Sequence, residues 1–226
     1  MSIMTLILGE SGTGKTTSLR HLDPAQTLLI RSIAKPLPFK SAGWQNFNTD
    51  NPQGSIYTTD QSATVCKLLQ SPYVQQKQII VLDDFQYIMA NEFFRRSHEK
   101  GFEKFAEIGR LAFDIINLAQ SLPDHIRVYF LWHTETDAFG KTKAKTVGKM
   151  LDEKYTPEGV FTIALKTVVN QGQYQFATRN SGNDTVKAPI GMFEHELIDN
   201  DLAEVDRAIC DFYDIPTQPQ TTETTQ

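Results

Sequence analysis

A short apolar run followed by a glycine-rich segment decides the fold of this chain. The stretch from Met4 to Thr17 is MTLILGESGTGKTT. Its apolar part, Met4–Leu8, predicts a buried strand, and the residues Thr17–Leu22 predict a helix. Between them, Gly9–Thr16 matches the pattern G-x-x-x-x-G-K-[ST] in full. A strand, this loop and a helix in succession are the context in which the pattern is informative.

Each residue type in this segment has a chemical reason to be there. Glycines let the backbone curl so that N–H groups point at phosphate oxygens, and the following helix adds its free N–H groups and positive dipole end. Lys15 would place an ammonium on the β and γ phosphates, and the Thr16 hydroxyl would ligate Mg²⁺. The predicted nucleotide-binding residues are Gly9, Glu10, Ser11, Gly12, Thr13, Gly14, Lys15, Thr16 and Thr17.

A second apolar run supplies the acidic residues that such a loop needs. Ile79–Leu82 predicts a buried parallel strand, and Asp83 and Asp84 follow at its carboxyl end, where ligands collect in open α/β sheets. We assign Asp83 to the Mg²⁺ shell and Asp84 to the attacking water. The alternative for Asp84 is a helix N-cap. Asp60, after Ser55–Thr59, is a second candidate for the catalytic carboxylate and is equally suited to capping a helix.

A third apolar run, Arg127–Trp132, ends at His133. A polar side chain at this strand end would face the γ-phosphate and report its loss. His133 is therefore the predicted sensor and joins Lys15 and Asp84 as a catalytic candidate. The alternative is a histidine that hydrogen-bonds a nearby backbone group.

The remaining pattern predicts an α/β fold in which helices flank a mostly parallel sheet. Thr27–Ile30 is a further buried strand. Near the C-terminus, Val160–Val169 and Tyr174–Thr178 flank a glycine-containing turn and predict an antiparallel hairpin. Apolar residues at three- and four-residue steps predict helices over Glu99–Ser121, which Pro123 would end, and Asp201–Tyr213.

Two segments lack such periodicity. Arg31–Asn51 contains two prolines and a glycine and predicts irregular structure, either a lid over a nucleotide or a surface crossover. Pro216–Gln226 has no apolar residue to anchor it. We therefore expect one domain over residues 1–214 and a disordered C-terminal tail over residues 215–226.

Composition narrows the class of protein. The chain has 226 residues, with Lys+Arg 22 against Asp+Glu 27 and a formal net charge of −5, which argues against a wholly basic nucleic-acid coat. The two cysteines lie far apart, which argues against a disulfide scaffold. No apolar run approaches the roughly 20 residues that cross a bilayer. We expect a cytoplasmic protein with no membrane partner.

One segment departs from this acidic background. Gly140–Lys149 contains four lysines, and these are the predicted DNA-binding residues Lys141, Lys143, Lys145 and Lys149. The alternative is a solvated charged loop. Arg95 and Arg96 form a second, weaker basic patch. No aromatic residue is interleaved with the lysines, so little sequence preference is expected.

Gly9–Thr16, Ile79–Asp84 and the strand ending in His133 resemble the RecA-like P-loop ATPases. The similarity is closer to the phage-encoded ATPases, related to RecA and Rad-type recombinases, that act in single-strand annealing and recombination. It covers most of Thr5–Lys187. The resemblance implies ATP and Mg²⁺ as ligands and ATP-dependent binding of single-stranded DNA by a homo-oligomer or filament, with ATP between subunits.

The same resemblance implies further partners and residues. The location would be the cytoplasm of a bacterial host, and a single-strand-binding protein is a candidate partner. DNA-binding loops would follow the His133 strand. A lysine after the last hairpin often reaches the neighbouring subunit's γ-phosphate, and Lys187 matches that placement; the alternative is a solvated loop lysine. Ala188-Pro189 stands where the family often has a second basic residue, which departs from the pattern.

Three functions compete on the sequence alone. The first is a DNA-dependent ATPase of recombination or replication, the second a small-molecule kinase of the nucleotide type, and the third a slow nucleotide switch or loader that partners another ATPase. Such kinases usually carry an arginine-rich lid, whereas the basic loop here is lysine-rich. Stimulation of hydrolysis by single-stranded DNA, dependence on a small acceptor, or neither would separate the three.

Overall fold

A nine-stranded mixed sheet lies at the centre of the computed structural model, which describes residues 1–48, 51–148 and 150–216. The strands are β1 Ile3–Gly9, β2 Thr27–Arg31, β3 Ile56–Thr58, β4 Ile79–Asp83, β5 Arg127–Thr136, β6 Thr142–Ala144, β7 Ile163–Asn170, β8 Gln173–Ala177 and β9 Leu197–Asp199. Their order is β3-β2-β4-β5-β1-β7-β8-β9, with β6 paired to the end of β5. Neighbours from β3 to β7 are parallel, and β6, β8 and β9 add antiparallel pairs. The predicted mostly parallel sheet is confirmed.

The strand order brings three carboxyl ends together. β5 lies between β1 and β4, so the ends of these strands are adjacent at one edge of the sheet. Gly9 is in register with His133, and Leu82 is in register with Phe130. Parallel strands present their carboxyl ends on the same side, where open α/β sheets place ligands.

Helices cover both faces of the sheet. They are α1 Ser62–Leu69, α2 Pro72–Gln75, α3 Gln86–Arg95, α4 Glu103–Ser121 and α5 Leu202–Phe212, with 3₁₀ helices at Thr16–His21 and Pro157–Val160 and a π-helix at Met150–Tyr155. Apolar residues of α1 to α4 pack in one buried cluster with one face of the strands. The 3₁₀ helix after β1 and α5 pack in a second cluster on the opposite face. Because both faces are covered, the central strands consist mainly of apolar residues.

Predicted helix boundaries were wrong at identifiable places. α4 begins at Glu103 rather than at Glu99, since Gly101 has a φ of 99° and cannot lie in a helix. Phe102, which lies inside the predicted range Glu99–Ser121, therefore precedes the helix and is 89% exposed. Phe212, the last residue of α5, is also exposed. The helix after the glycine-rich loop exists, but it is a 3₁₀ helix.

The C-terminal hairpin is confirmed. Asn170 of β7 pairs with Gln173 of β8, and Gln171 and Gly172 form the turn with φ of 50° and 80°. Two residues with positive φ between antiparallel strands match the twist of a hairpin. The predicted start of β7 was wrong, because the residues Pro157–Val160 form a 3₁₀ turn and the strand begins at Ile163.

The lysine-rich segment is part of a second hairpin and not only a loop. β5 continues beyond His133 to Thr136, and β6 pairs back on it. Asp137 forms the turn: its Oδ1 accepts hydrogen bonds from the N–H groups of Phe139 and Lys141 at 2.8 and 2.9 Å. A carboxylate that caps the chain two residues on favours such a turn.

The last described residues lie beside α5. The Ile215 N–H donates to the Cys210 carbonyl at 2.9 Å. Residues 217–226, which hold most of the predicted tail, lie outside the described residues. None of the helices that the structure describes has the length and apolar character needed to cross a membrane.

Candidate active site

The loop between β1 and the first 3₁₀ helix curls tightly over the end of β1. A Cβ on Gly9 would lie 1.9 Å from Thr167 Oγ1 and 2.7 Å from Thr13 Oγ1. Gly14 has a φ of 95°, where any other side chain is strained. The hydroxyls of Thr13 and Thr167 lie 2.6 Å apart and connect the loop to β7. Glycine is therefore required at both positions. The loop lies between a strand and a helix, as the sequence predicted.

Lys15 points back into this curl. Its Nζ donates to the carbonyl oxygens of Gly9 and Glu10, at 2.8 Å in each case. Burial lowers the pKa of Lys15 to about 8, although the nearby carboxylates of Asp84 and Asp83 act in the opposite direction. An ammonium held by backbone carbonyls inside the curl of a glycine-rich loop is suited to a negatively charged ligand.

Asp83, the last residue of β4, faces Thr16. The Thr16 Oγ1 lies 3.0 and 3.2 Å from the two carboxylate oxygens. Burial raises the pKa of Asp83 to about 6, and the adjacent charge of Asp84 acts in the same direction. A cation would remove this penalty, and hydroxyl and carboxylate oxygens are donors that Mg²⁺ prefers. The pair fits the predicted ion.

The same donors do not form a complete metal site. Among the residues that the structure describes, no group of three or more His, Cys, Asp and Glu side chains could hold a metal ion. Mg²⁺ is commonly bound through one or two carboxylates together with waters and substrate phosphates. Thr16 and Asp83 therefore fit a Mg²⁺ ion that arrives with a phosphate ligand.

Asp84 has both carboxylate oxygens engaged. His133 Nε2 lies 3.1 Å from its Oδ1, and Lys35 Nζ lies 2.5 Å from its Oδ2. Burial acts to raise the pKa of Asp84, but the hydrogen bonds from His133 and Lys35 outweigh it and lower the pKa to about 2. The carboxylate thus stays ionised beside Asp83.

The backbone of Asp84 is unusual as well. It has a φ of 56°, which is uncommon for a residue with a side chain and recurs in turns and at active sites. α3 begins at Gln86, and no side chain caps it. The N-cap alternative for Asp84 is therefore wrong.

His133 contacts three parts of the molecule. The ring Nε2 contacts Asp84. The backbone N–H donates to Gln86 Oε1 at 3.2 Å, and the backbone carbonyl accepts a hydrogen bond from the N–H of Lys145 at 2.8 Å. The alternative, in which the His133 ring hydrogen-bonds a nearby backbone group, is wrong, because the ring contacts the carboxylate of Asp84. His133 connects the candidate catalytic carboxylate to the lysine hairpin.

Asp60, Arg95 and Arg96 form hydrogen bonds and ion pairs outside the candidate site. The Asp60 carboxylate accepts hydrogen bonds from Asn91 at 2.7 Å and Arg95 at 2.9 Å, and Gln61 takes the cap position of α1. Arg96 is paired with carboxylates, Glu99 and Glu107, each at 2.6 Å. The second basic patch is therefore balanced by acidic neighbours, and Asp60 is neither the cap nor a free carboxylate.

The predicted DNA-binding lysines differ in their surroundings. Lys141 and Lys145 are exposed, whereas Lys143 is half-buried and its Nζ lies 3.7 Å from Glu135. Lys149 lies outside the described residues. Phe139, at the tip of the hairpin, is 95% exposed. An exposed aromatic ring therefore directly precedes the lysine-rich segment Gly140–Lys149, although none is interleaved with the lysines.

Lys187 lies beside the amino half of β7. Its backbone exchanges hydrogen bonds with Ala164 at 2.8 and 2.9 Å, and Ala164 is in register with Leu6, three residues before Gly9 along β1. Burial lowers the pKa of Lys187, and Glu158 opposes this. Within one chain Lys187 is not brought to the loop, and its action on a neighbouring subunit stays a prediction.

Three residues near the site had no motif to mark them. Lys35 comes from the irregular segment between β2 and β3. Tyr174 Cδ1 and Asn200 Oδ1 would lie 3.0 and 3.1 Å from a Cβ on Gly14. The Asn200 amide is buried and makes no hydrogen bond with the described part of the chain. For Lys35 the available signal was a lysine followed by prolines in a segment that a lid would suit.

Comparison with known proteins adds no identification. No protein-family model matches the chain, and no curated protein matches it either.

Proposed function

We propose that this chain binds and hydrolyses ATP with Mg²⁺, as a RecA-like P-loop ATPase that acts on single-stranded DNA. The observation that carries the proposal is the meeting of Lys15, Thr16 and Asp83 at one edge of the sheet. Thr16 and Asp83 are 67 residues apart in sequence and are joined only by the fold. A glycine-rich loop, an ammonium, a hydroxyl and a strand-end carboxylate are the parts that hold a triphosphate and its cation.

Each part has one task in binding. The N–H groups of Gly9–Thr16 and the ammonium of Lys15 hold the β and γ phosphates. Thr16 and Asp83 would hold Mg²⁺, which supplies neutralisation of the charge on these phosphates. The choice of ATP over other nucleotides follows from the resemblance to the RecA-like proteins.

Hydrolysis is then an in-line displacement at the γ-phosphorus. Asp84 accepts a hydrogen bond from the attacking water and orients it. The water oxygen forms a bond to phosphorus while the bond to the β–γ bridging oxygen breaks, and its electron pair stays on ADP. The low pKa of Asp84 suits orientation more than storage of a proton, so the protons of the water leave with the inorganic phosphate and to solvent.

The β5–β6 hairpin supports the nucleic-acid part of the proposal. Exposed Lys141 and Lys145 offer cations to a phosphate backbone, and exposed Phe139 offers a ring on which a base can stack. Proteins that bind single strands without sequence preference combine these two features. The resemblance to the RecA-like proteins adds four further parts to the proposal: a homo-oligomer, the action of Lys187 across subunits, a cytoplasmic location and a single-strand-binding partner.

The test is steady-state ATP hydrolysis by Lys15→Met with Mg²⁺, with and without single-stranded DNA. We expect hydrolysis to be lost, because removing this charge removes stabilisation of the transition state. Lys67→Met, an exposed lysine of α1, is the matched control. Full activity of Lys15→Met would contradict the site. Turnover only with a small phosphoryl acceptor would indicate a kinase, and wild-type turnover that neither DNA nor an acceptor stimulates would indicate a slow nucleotide switch.

A further inference from the structure

We propose that Lys35 is a second phosphate-binding lysine, which contacts the γ-phosphate of ATP from the segment between β2 and β3. The inference rests on the proposed function and adds to it a residue outside the glycine-rich motif. Its basis is position: the Lys35 ammonium lies 2.5 Å from Asp84 Oδ2, in the middle of the candidate site.

Lys35 belongs to the same charged cluster as the loop. Its positive charge acts on Lys15, whose pKa it helps to lower, and Asp83 acts on Lys35 in turn. A water that Asp84 orients lies within about 3 Å of the carboxylate and about 3–3.5 Å of the phosphorus that it attacks. A cation that already contacts this carboxylate is therefore within one side-chain rotation of the γ-phosphate oxygens.

The backbone that carries Lys35 is anchored. Arg31 donates through Nη1 to the Lys35 carbonyl at 2.6 Å and through Nε to Thr58 Oγ1 at 2.8 Å. Further along, Leu37 and Phe39 pack against the apolar cluster under α5. The Lys35 side chain itself is 48% exposed and can turn about this fixed point. A fixed backbone that carries a half-exposed cation is suited to binding a ligand that enters from solvent.

A simple surface ion pair does not account for this contact. Asp84 is 4% exposed and is already hydrogen-bonded to His133. Lys15 and Lys35 balance the charges of Asp83 and Asp84. With Mg²⁺ bound through Thr16 and Asp83, the cluster would gain two positive charges, which the terminal phosphate of ATP would neutralise.

Lys35 should contribute to the binding of ATP but not of ADP, because ADP lacks the phosphate that Lys35 would contact. We expect Lys35→Met to weaken binding of Mg²⁺–ATP about tenfold or more, while binding of Mg²⁺–ADP changes less than about twofold. Turnover should fall by about 10²- to 10³-fold, as for loss of other donors to a developing charge. Lys35→Arg keeps the charge and should keep most of the preference for ATP.

Isothermal titration calorimetry with both nucleotides measures these affinities. Lys40→Met removes an exposed lysine from the same segment and is the matched control, Lys35→Gln is a second charge-removing variant, and thermal melts check that each variant is folded. Equal loss of ATP and ADP affinity, or no loss of either, in Lys35→Met overturns the inference. A wild-type chain that binds neither nucleotide overturns the proposed function itself, which is a different result.

Discussion

Gly9 is the residue on which the curl of the loop most directly depends. A Cβ there would lie 1.9 Å from Thr167 Oγ1, so β7 or the loop would have to move. Overpacking of this kind costs about 1–3 kcal/mol, and we expect Gly9→Ala to lower the melting temperature by about 3–10 °C. ATP binding should weaken as well. Scanning calorimetry and nucleotide titration measure the two effects.

Two further variants sharpen this prediction. Gly159→Ala is the matched control, since a Cβ there meets no atom within 4 Å outside its own helix. The double variant Gly9→Ala/Thr167→Ala removes the closest clashing atom and should recover part of the lost stability. Wild-type stability and ATP affinity in Gly9→Ala alone would contradict the close approach of the loop and β7.

Asp83 should make the fold less stable as the pH rises. Its pKa is about 6 in the folded chain against an ordinary value of 3.8, so the ionised carboxylate opposes folding above pH 6. The penalty shrinks as the pH falls from about 6 towards 4. We expect Asp83→Asn to raise the free energy of unfolding at pH 7 by about 2–3 kcal/mol, with loss of Mg²⁺-dependent hydrolysis. Denaturant melts at pH 7 and pH 4.5 check this, and a gain of equal size at both would show that burial of the charge is not the cause.

The β5–β6 hairpin is the element on which DNA binding would depend. Phe139 is exposed at its tip, and stacking of a base on such a ring contributes about 1–3 kcal/mol. We expect Phe139→Ala to weaken binding of single-stranded DNA by roughly 5- to 150-fold, with an unchanged dependence on salt. Fluorescence anisotropy across a salt series measures both quantities. Phe102→Ala removes another exposed ring, at the start of α4, and should change neither.

The lysines of the same hairpin should act differently from its aromatic ring. Lys141→Gln/Lys145→Gln removes two exposed charges, so the slope of log affinity against log salt should become shallower by about one to two. Lys143→Gln should have a smaller effect, because this side chain lies beside Glu135. An unchanged slope in the double variant would exclude the hairpin lysines from the phosphate contacts.

α5 is attached to the sheet by a buried ion pair at the edge opposite the loop. Arg127 donates to the two Asp206 oxygens at 2.9 and 2.7 Å, and Tyr129 donates to one of them at 2.5 Å. We expect Asp206→Ala to cost about 3–5 kcal/mol, since it leaves the guanidinium buried without its partner. The exposed Arg207–Glu204 pair is the control, and Arg207→Ala should cost less than about 1 kcal/mol. Equal costs in urea melts would contradict a structural role for the buried pair.

Across the whole molecule, the features that the sequence predicted correctly are the buried strands of the sheet and the glycine-rich loop. β1, β2 and β4 differ from their predicted ranges by at most one residue at either end, because strands covered on both faces are continuous apolar runs. β6 and β9 were missed, since each has only three residues and no apolar run. The loop and Asp83 could be placed because a motif and the strand-end rule fix them locally.

The rest of the site depends on contacts that no local pattern encodes. Lys35 meets Asp84 across 49 residues of sequence, and Thr13 meets Thr167 across 154. Both contacts follow from the order of the strands: β2, which precedes Lys35, lies beside β4, and β7, which carries Thr167, lies beside β1. Neither a lysine before a proline nor a threonine in a strand indicates such a partner until the sheet is assembled.

The same strand order should couple nucleotide and DNA binding across the molecule. β5 lies between the loop strand and β4, and His133 touches Asp84 with its ring and Lys145 with its carbonyl. We expect a non-hydrolysable ATP analogue with Mg²⁺ to tighten binding of single-stranded DNA by about 5- to 150-fold, and DNA to tighten nucleotide binding by the same factor, since coupling is reciprocal. Anisotropy and calorimetry measure the two factors independently.

His133 is the residue through which this coupling would pass. In His133→Ala both factors should fall towards one, whereas Phe139→Ala should lower the affinity for DNA and leave the coupling in place. His125→Ala, at the opposite edge of the sheet, is the matched control. Full coupling in His133→Ala would show that the signal reaches the hairpin by another route. Loss of coupling with both separate affinities retained is the result expected of a residue that transmits a signal from the nucleotide site to the hairpin.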